Sequence, residues 1–211
     1  MIIHKMGWPF KKVLYPSLTW SRSAKEKIIY LTFDDGPIPE ITEFVLDTLL
    51  QKKVKATFFC VGDNVRKHPR VFQRVLEEGH GLGNHTFNHL NGWKTAFSEY
   101  VQNIDKCQAY LDPALNGRKW LFRPPYGRIT KKQIRAVQQK GYEVIMWDVL
   151  SADFMKSLDK KNCLQKTVKY SEQGSIVVFH DNIKAFENMS YALPRYIDTF
   201  QAQGYKFGTL N

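Results

Sequence analysis

From Lys27 onward, short apolar runs alternate with amphipathic stretches roughly every 25–30 residues. No other feature restricts the fold so tightly. The runs are Ile28 to Phe33, Ala56 to Val61, Trp120 to Phe122, Val144 to Trp147 and Ser175 to Phe179. Each has strand length and is rich in β-branched or aromatic residues, as strands covered on both faces require. Between them, Pro39 to Lys52 carries Ile41, Phe44, Val45 and Leu49 at helical spacing. Pro69 to Glu78 stops at Gly79, Thr130 to Lys140 opens with the capping box Thr130-x-x-Gln133 and stops at Gly141, and Tyr191 to Gln203 stops at Gly204. Ser98 to Leu111 and Leu158 to Tyr170 complete the predicted helices. Strand and helix in alternation predict an α/β fold with a mainly parallel sheet or barrel.

Polar residues gather just after the predicted strands. Asp34-Asp35, Arg123, Asp148 and His180 each follow an apolar run. The carboxyl ends of parallel strands share one rim, where ligands bind, so these segments are expected to converge there.

Charge narrows the partners less than its size suggests. Lys and Arg total 31 against 20 Asp and Glu, a formal net charge of +11, and a positive field concentrates nucleic acid, anionic membrane surfaces and anionic cell-wall polymers alike. The basic clusters Lys11-Lys12, Lys52-Lys53-Val54-Lys55, Arg66-Lys67 and Lys131-Lys132 lie far apart, however, and the chain has no nucleic-acid-binding signature, so no specific nucleic acid is expected. Cys60, Cys107 and Cys163 are about 50 residues apart with no CxxC motif, which predicts small buried thiols and no disulfide framework. Residues 1–20 are interrupted by Lys5, Pro9, Lys11, Lys12 and Pro16, so they read as neither a signal peptide nor a membrane span. The expectation is a soluble monomer, cytoplasmic by default, with export to the periplasm or cell surface left open. Residues 1–26 read as an extension packed on a single domain of residues 27–211.

Several constellations can carry chemistry. Asp34 and Asp35 are adjacent carboxylates at a strand end, where neighbouring side chains point in different directions, so one can bind a metal while the other faces substrate. Asp-Asp-Gly-Pro is equally a turn signal. His85 and His89, four apart, would share one side of a helical turn and hold one transition metal. With Asp35 they make three ligands and leave positions open for water and substrate, the catalytic pattern of metal site. Arg123-Pro124-Pro125-Tyr126-Gly127 is stiffened by two prolines right after a guanidinium, and could also be a charged surface turn. His180 ends an apolar run, and Asp153 is a candidate carboxylate partner for it.

In chain order, Thr32-Phe33-Asp34-Asp35-Gly36-Pro37, His85-x-x-x-His89, Arg123-Pro124-Pro125-Tyr126-Gly127, Trp147-Asp148 through Asp153-Phe154, and Ile176-Val177-Val178-Phe179-His180 resemble the five motifs of the polysaccharide deacetylases, carbohydrate esterase family 4 (NodB homology domain). The resemblance runs from about Ile28 to Phe207. It implies a distorted (β/α) barrel of about seven strand-helix units that removes N-acetyl groups from an amino-sugar glycan such as peptidoglycan or an N-acetylglucosamine polymer. The alternatives are an O-acetyl esterase acting on a polysaccharide such as xylan and, from another class, a non-catalytic basic module that binds glycan or nucleic acid.

Roles follow residue by residue from the resemblance. Asp35, His85 and His89 would bind one divalent metal ion, zinc in the first instance, with cobalt or nickel as alternatives. Asp34 would be the general base, Arg123 its orienting partner, His180 the general acid and Asp153 the residue that holds it. Tyr126 would offer its backbone NH to the oxyanion, while Phe154, Val178 and Trp147 would line the substrate side. Phe154 and Val178 stand where many relatives carry Trp and Leu, and Leu150 stands where some carry an acidic residue. None of these departures removes a metal ligand or a proton-transfer residue.

Overall fold

The computed structural model describes residues 4–5, 15–23, 25–115, 117 and 119–211. Its strands are β1 (Ile28–Asp34), β2 (Thr57–Cys60), β3 (Gly81–Asn84), β4 (Leu121–Phe122), β5 (Glu143–Val144), β6 (Val149–Leu150), β7 (Ile176–His180) and β8 (Lys206–Phe207). Its helices are α1 (Ile41–Gln51), α2 (Gly62–Lys67), α3 (Pro69–Glu77), α4 (Phe97–Leu115), α5 (Lys131–Gln139), α6 (Lys160–Tyr170) and α7 (Phe186–Ala202). Seven strands run in the spatial order β5-β4-β3-β2-β1-β7-β6, with β8 beside the start of β1, and every pairing between them is parallel. This is the expected incomplete (β/α) barrel.

Alternation along the central strands sorts the two faces. Ile29, Leu31 and Phe33 of β1, with Val177 and Phe179 of β7, join the main core with Val45, Leu46 and Leu49 of α1 and Leu193, Tyr196 and Phe200 of α7. Residues of the other parity turn inward. Phe59, Leu121, Ile145, Ile176 and Leu210 pack with Tyr30 into an apolar plug inside the barrel. Above it Thr32 lies opposite Val178, and Asp34 opposite His180, so the inner face becomes polar toward the carboxyl ends.

The sequence signals for caps hold. Thr130 and Gln133 exchange the two hydrogen bonds of a capping box, and Gly79, Gly141 and Gly204 take the left-handed conformation just past α3, α5 and α7. Other expectations need correction. The run Val144 to Trp147 is a strand only to Val144, and Ile145 instead forms a bridge with Thr19. α7 begins at Phe186 and carries Pro194 inside it, five residues before the predicted start. Asp148 does not reach the rim, because it precedes β6 and does not end a strand. Its carboxylate accepts a 2.6 Å hydrogen bond from Ser175 Oγ just before β7, about 16 Å along the strand from His180. β3 had no counterpart in the sequence reading, and its inner face is glycine. A Cβ on Gly83 would come within 2.4 Å of the Phe59 ring.

Of the expected extension, residues 1–3, 6–14 and 24 lie outside the described residues. The remainder spans the two free edges of the sheet. Thr19 bridges Ile145 just beyond β5, Lys5 pairs antiparallel with Val149 of β6, and Ser21 pairs with Ser175 before β7. Arg22 adds a two-pronged contact to Glu143, at 2.8 and 3.2 Å. Cys60, Cys107 and Cys163 are buried and free. Among the described residues, no helix is long and apolar enough to cross a membrane.

Candidate active site

The rim is best built from Arg123, a fully buried cation at the end of β4. Burial pulls its guanidinium below its ordinary pKa, and the Asp34 charge opposes that. Its three nitrogens all donate, to β1 on one side and to the segment just after β5 on the other. Nη1 donates to Asp34 Oδ1 at 2.6 Å and to Thr32 Oγ1 at 2.7 Å, Nη2 to the Met146 carbonyl at 2.9 Å, and Nε to the Ile145 carbonyl at 3.4 Å. The flat face rests on the Phe59 ring, 4.0 Å from its centroid. Asp34 is therefore a carboxylate with a fixed charge partner and a fixed direction, as a general base requires.

One residue on, the chain turns outward. Asp35 takes φ 91°, which swings its carboxylate away from Arg123 toward His85 and His89. The two histidines do not share a helical turn as expected. They lie on an irregular loop after β3, folded back by left-handed Thr86 (φ 62°) and His89 (φ 55°). His85 Nδ1–H donates to the Arg123 carbonyl at 2.8 Å, which leaves Nε2 bare and 3.6 Å from Asp35 Oδ1. His89 Nε2 lies 3.0 Å from the same oxygen, and its Nδ1 is hydrogen-bonded to the Tyr126 hydroxyl at 3.1 Å.

The three ligand atoms all lie within 4.8 Å of one another. Asp35 Oδ1 is buried and has no hydrogen-bond partner. An orphaned carboxylate oxygen facing two imidazole nitrogens fits a divalent cation. Burial alone would raise the Asp35 pKa. The imidazoles of His85 and His89 against it, with the His180 charge, instead hold the carboxyl well below its usual range.

His180 ends β7 beside Asp34. Asp153 grips it twice: Oδ2 accepts from the His180 backbone NH at 2.8 Å, and Oδ1 from ring Nδ1–H at 2.8 Å. Burial would lower the imidazole pKa, but the Asp153 carboxylate at this distance, with Asp35 and Asp34 beyond it, pushes it up to about 9. His180 thus stays protonated near neutrality and presents Nε2–H, the form a general acid needs. The edge of the Phe154 ring packs against it, with centroids 5.0 Å apart. Val178 lies buried two residues below on the same inward face. Trp147 stands farther round, against Gly127.

Apart from Asp148, the residues expected at the site lie on this rim, and three positions the sequence reading did not assign help to shape it. Asn182 donates to Asp35 Oδ2 at 2.5 Å. Asp181, fully buried, accepts from the Gly36 NH at 2.9 Å and from Thr42 Oγ1 at 2.6 Å, pinning the turn that carries Asp35. Burial raises the Asp181 pKa to about 7 even against those two hydrogen bonds. Asn188 of α7 donates to the carbonyls of Asp153, Met155 and Leu158 and so fixes the loop that holds Asp153. Position directly after His180 was the only signal for Asp181 and Asn182. Nothing local marks Asn188.

A base fixed at one strand end, an acid fixed at the next and a cation cradle beside them are equipment for adding water across a carbonyl, which places the protein among the hydrolases. The sequence profile of polysaccharide deacetylases matches residues 21–145. A peptidoglycan-N-acetylglucosamine deacetylase of Bacillus cereus is 34% identical over 210 residues, covering 95% of each chain. The peptidoglycan-N-acetylmuramic acid deacetylase PdaC of Bacillus subtilis is 32% identical over 186 residues, covering 88% of this chain and 38% of PdaC. The crystal structure of the Bc1960 peptidoglycan N-acetylglucosamine deacetylase, bound to 4-naphthalen-1-yl-N-oxidanyl-benzamide, superposes with a TM-score of 0.88 at 32% identity over 96% of this chain and 94% of that one. The chain belongs to the polysaccharide deacetylase family.

Proposed function

We propose that the chain, acting as a monomer, hydrolyses the N-acetyl group of an amino-sugar residue in a peptidoglycan-type glycan. One observation carries the reading: Asp35 Oδ1, buried and without a donor, faces His85 and His89 next to an Asp34 locked to Arg123. Asp35, His85 and His89 would hold one divalent ion, zinc by the borderline character of imidazole and carboxylate donors. When bound, it supplies Lewis acidity to the acetyl carbonyl.

The remaining work falls to this chain's own side chains. Asp34 removes the proton from the water that attacks the carbonyl carbon, and Arg123 keeps that carboxylate ionised and aimed. The Tyr126 backbone NH, on the short turn Pro125–Gly127, donates to the oxyanion that forms. As the carbon–nitrogen bond breaks, His180 Nε2 gives its proton to the departing amine, while Asp153 holds the ring and its charge. Phe154 and Val178 contact the acetyl methyl, and Trp147 the sugar beyond it.

Acetate release tests the proposal. The protein should deacetylate N-acetylglucosamine oligomers or peptidoglycan with added zinc, stop when a chelator is present, and act on acetylated xylan more slowly. Release from xylan alone would make it an O-acetyl esterase, and no release from any of these with zinc bound would end the reading.

A further inference from the structure

Asp35 brings two carboxylate oxygens to the rim, and the structure treats them differently. Oδ1 is buried without a hydrogen-bond partner, 3.0 Å from His89 Nε2 and 3.6 Å from His85 Nε2. Oδ2 accepts from Asn182 Nδ2 at 2.5 Å. We infer that Asn182 is a positioning residue: it occupies Oδ2 so that Asp35 offers the metal Oδ1 alone, and the position a second oxygen would take stays open to water or the acetyl group. The inference rests on the metal-dependent reaction proposed above.

The contact is fixed from both ends. The Asn182 backbone carbonyl accepts from the NH groups of Ala185 and Phe186 at 3.2 and 3.1 Å, and its Oδ1 accepts from the Ala185 NH at 3.0 Å, which ties the residue to the start of α7. These bonds also decide which way the amide faces. Turned over, it would set its NH₂ against the Ala185 NH and its oxygen against the Asp35 carboxylate, donor on donor and acceptor on acceptor. On the other side, the Asp35 main chain is already held: its NH donates to the Phe59 carbonyl at 3.3 Å, and its carbonyl accepts from Asn64 Nδ2 at 2.8 Å. Rotation of the carboxylate is the freedom that remains, and the Asn182 amide removes it.

The chemical type of the partner matters as much as its place. A carboxylate can bind a cation through one oxygen or through both, and a catalytic site needs positions the protein does not fill. A lysine or arginine on Oδ2 would hold it as firmly but would cancel the charge that makes Oδ1 a ligand. A neutral amide fixes the direction and leaves the charge. Asn182 also stands two residues after His180, so one short stretch past β7 presents the acid and sets how many oxygens Asp35 can give.

Infrared difference spectra of zinc-loaded minus zinc-free protein, with ¹³C at the aspartate carboxylates, count the oxygens bound. The gap between the antisymmetric and symmetric carboxylate stretches is wide when one oxygen binds and narrow when both do. Wild type should show the wide gap. Asn182→Ser keeps a hydroxyl that can accept from the Ala185 NH but is too short to reach Asp35. It should show the narrow gap, with metal-free melts near wild type and acetate release per bound zinc down about tenfold. A narrow gap in wild type would overturn the inference even if the variant failed to fold, and so would a wide gap in folded, zinc-loaded Asn182→Ser. Failure of the proposed reaction looks different. The wide gap and its narrowing in a protein that releases no acetate would keep the role of Asn182 and sink the deacetylase reading, whereas wild type that takes up no zinc would overturn both.

Discussion

The two halves of the rim are built by opposite means. On the proton-transfer half, Asp34, Arg123 and His180 sit at strand ends with their partners buried around them, so their geometry belongs to the sheet. On the metal half, Asp35, Thr86, His89 and Tyr126 all have positive φ, and the ligands are aimed by loop conformation and by single hydrogen bonds from Asn182, to the Arg123 carbonyl and to the Tyr126 hydroxyl. Buried charge thus makes the first half part of the fold, while the second can lose its function and leave the fold standing. The pentapeptide Arg123 to Gly127 ties the halves together. It gives a side chain to the base and a carbonyl and a hydroxyl to the two histidines.

Asp34→Asn tests this contrast hardest. Activity should fall on the order of 10² to 10⁴-fold with metal retained. The fold should suffer as well, because Arg123 is left buried without its counter-charge, a loss of roughly 3–5 kcal/mol when one member of a buried pair is removed. Denaturant unfolding of the metal-free protein measures it, and a variant as stable as wild type would erase the distinction between the halves.

His89→Ala should do the reverse. Metal content and activity should vanish together, while metal-free stability stays within about 0.5 kcal/mol of wild type, as for a partly exposed side chain away from the core. Elemental analysis and melts in chelator check this, and a melt far below wild type would put the metal half in the fold too.

Asp153→Asn should move a titration. Without that carboxylate, burial of the imidazole is opposed only by Asp35 and Asp34, so the His180 pKa should fall from about 9. The alkaline limb of the metal-loaded enzyme's pH profile should move to lower pH with it. Because the folded pKa of His180 is raised, its stabilising contribution is complete below about pH 6.5 and is lost as pH climbs through 9, and the variant should lack that decline. An NMR titration of metal-free protein that still gave about 9 would break the assignment.

The smallest effect belongs to Tyr126→Phe. The backbone NH survives, but His89 Nδ1 loses its hydrogen-bond partner, and affinity for zinc should weaken about tenfold as outer-shell changes do. Competition against a chromophoric chelator reads this directly. Unaltered affinity would mean that loop conformation alone aims His89.

Strand ends were legible because their chemistry is compressed into neighbouring residues: an apolar run followed at once by Asp34-Asp35, Arg123 or His180. Asp148 shows the limit of that rule, since an acidic residue after an apolar run can equally be the residue before the next strand. β3 was hidden because Gly81-Leu82-Gly83-Asn84 has neither alternation nor β-branching. Its glycines exist for the Phe59 ring and the Asn211 and Thr57 side chains that lie against them, partners remote in sequence. The same holds for the spacing of His85 and His89, which suggested a helix and is achieved by left-handed residues whose need for that conformation no local pattern announces. α7 was expected only from Tyr191, whereas the helix starts at Phe186 and runs through Pro194.

The pairing of the described N-terminal residues with both sheet edges also sets an order of events. Leu150 NH bonds the His4 carbonyl at 2.9 Å and Thr19 Oγ1 bonds Glu143, contacts spanning 146 and 124 positions. Closing loops of that length costs chain entropy that only an assembled sheet repays. His4, Lys5, Thr19 and Ser21 are synthesised before the sheet residues they pair with, so on the ribosome they must wait for β5, β6 and the start of β7 to emerge. Pulsed amide exchange during refolding should find Leu150 and Met146, whose NH groups bond His4 and Thr19, protected after the amides of β1 and β2.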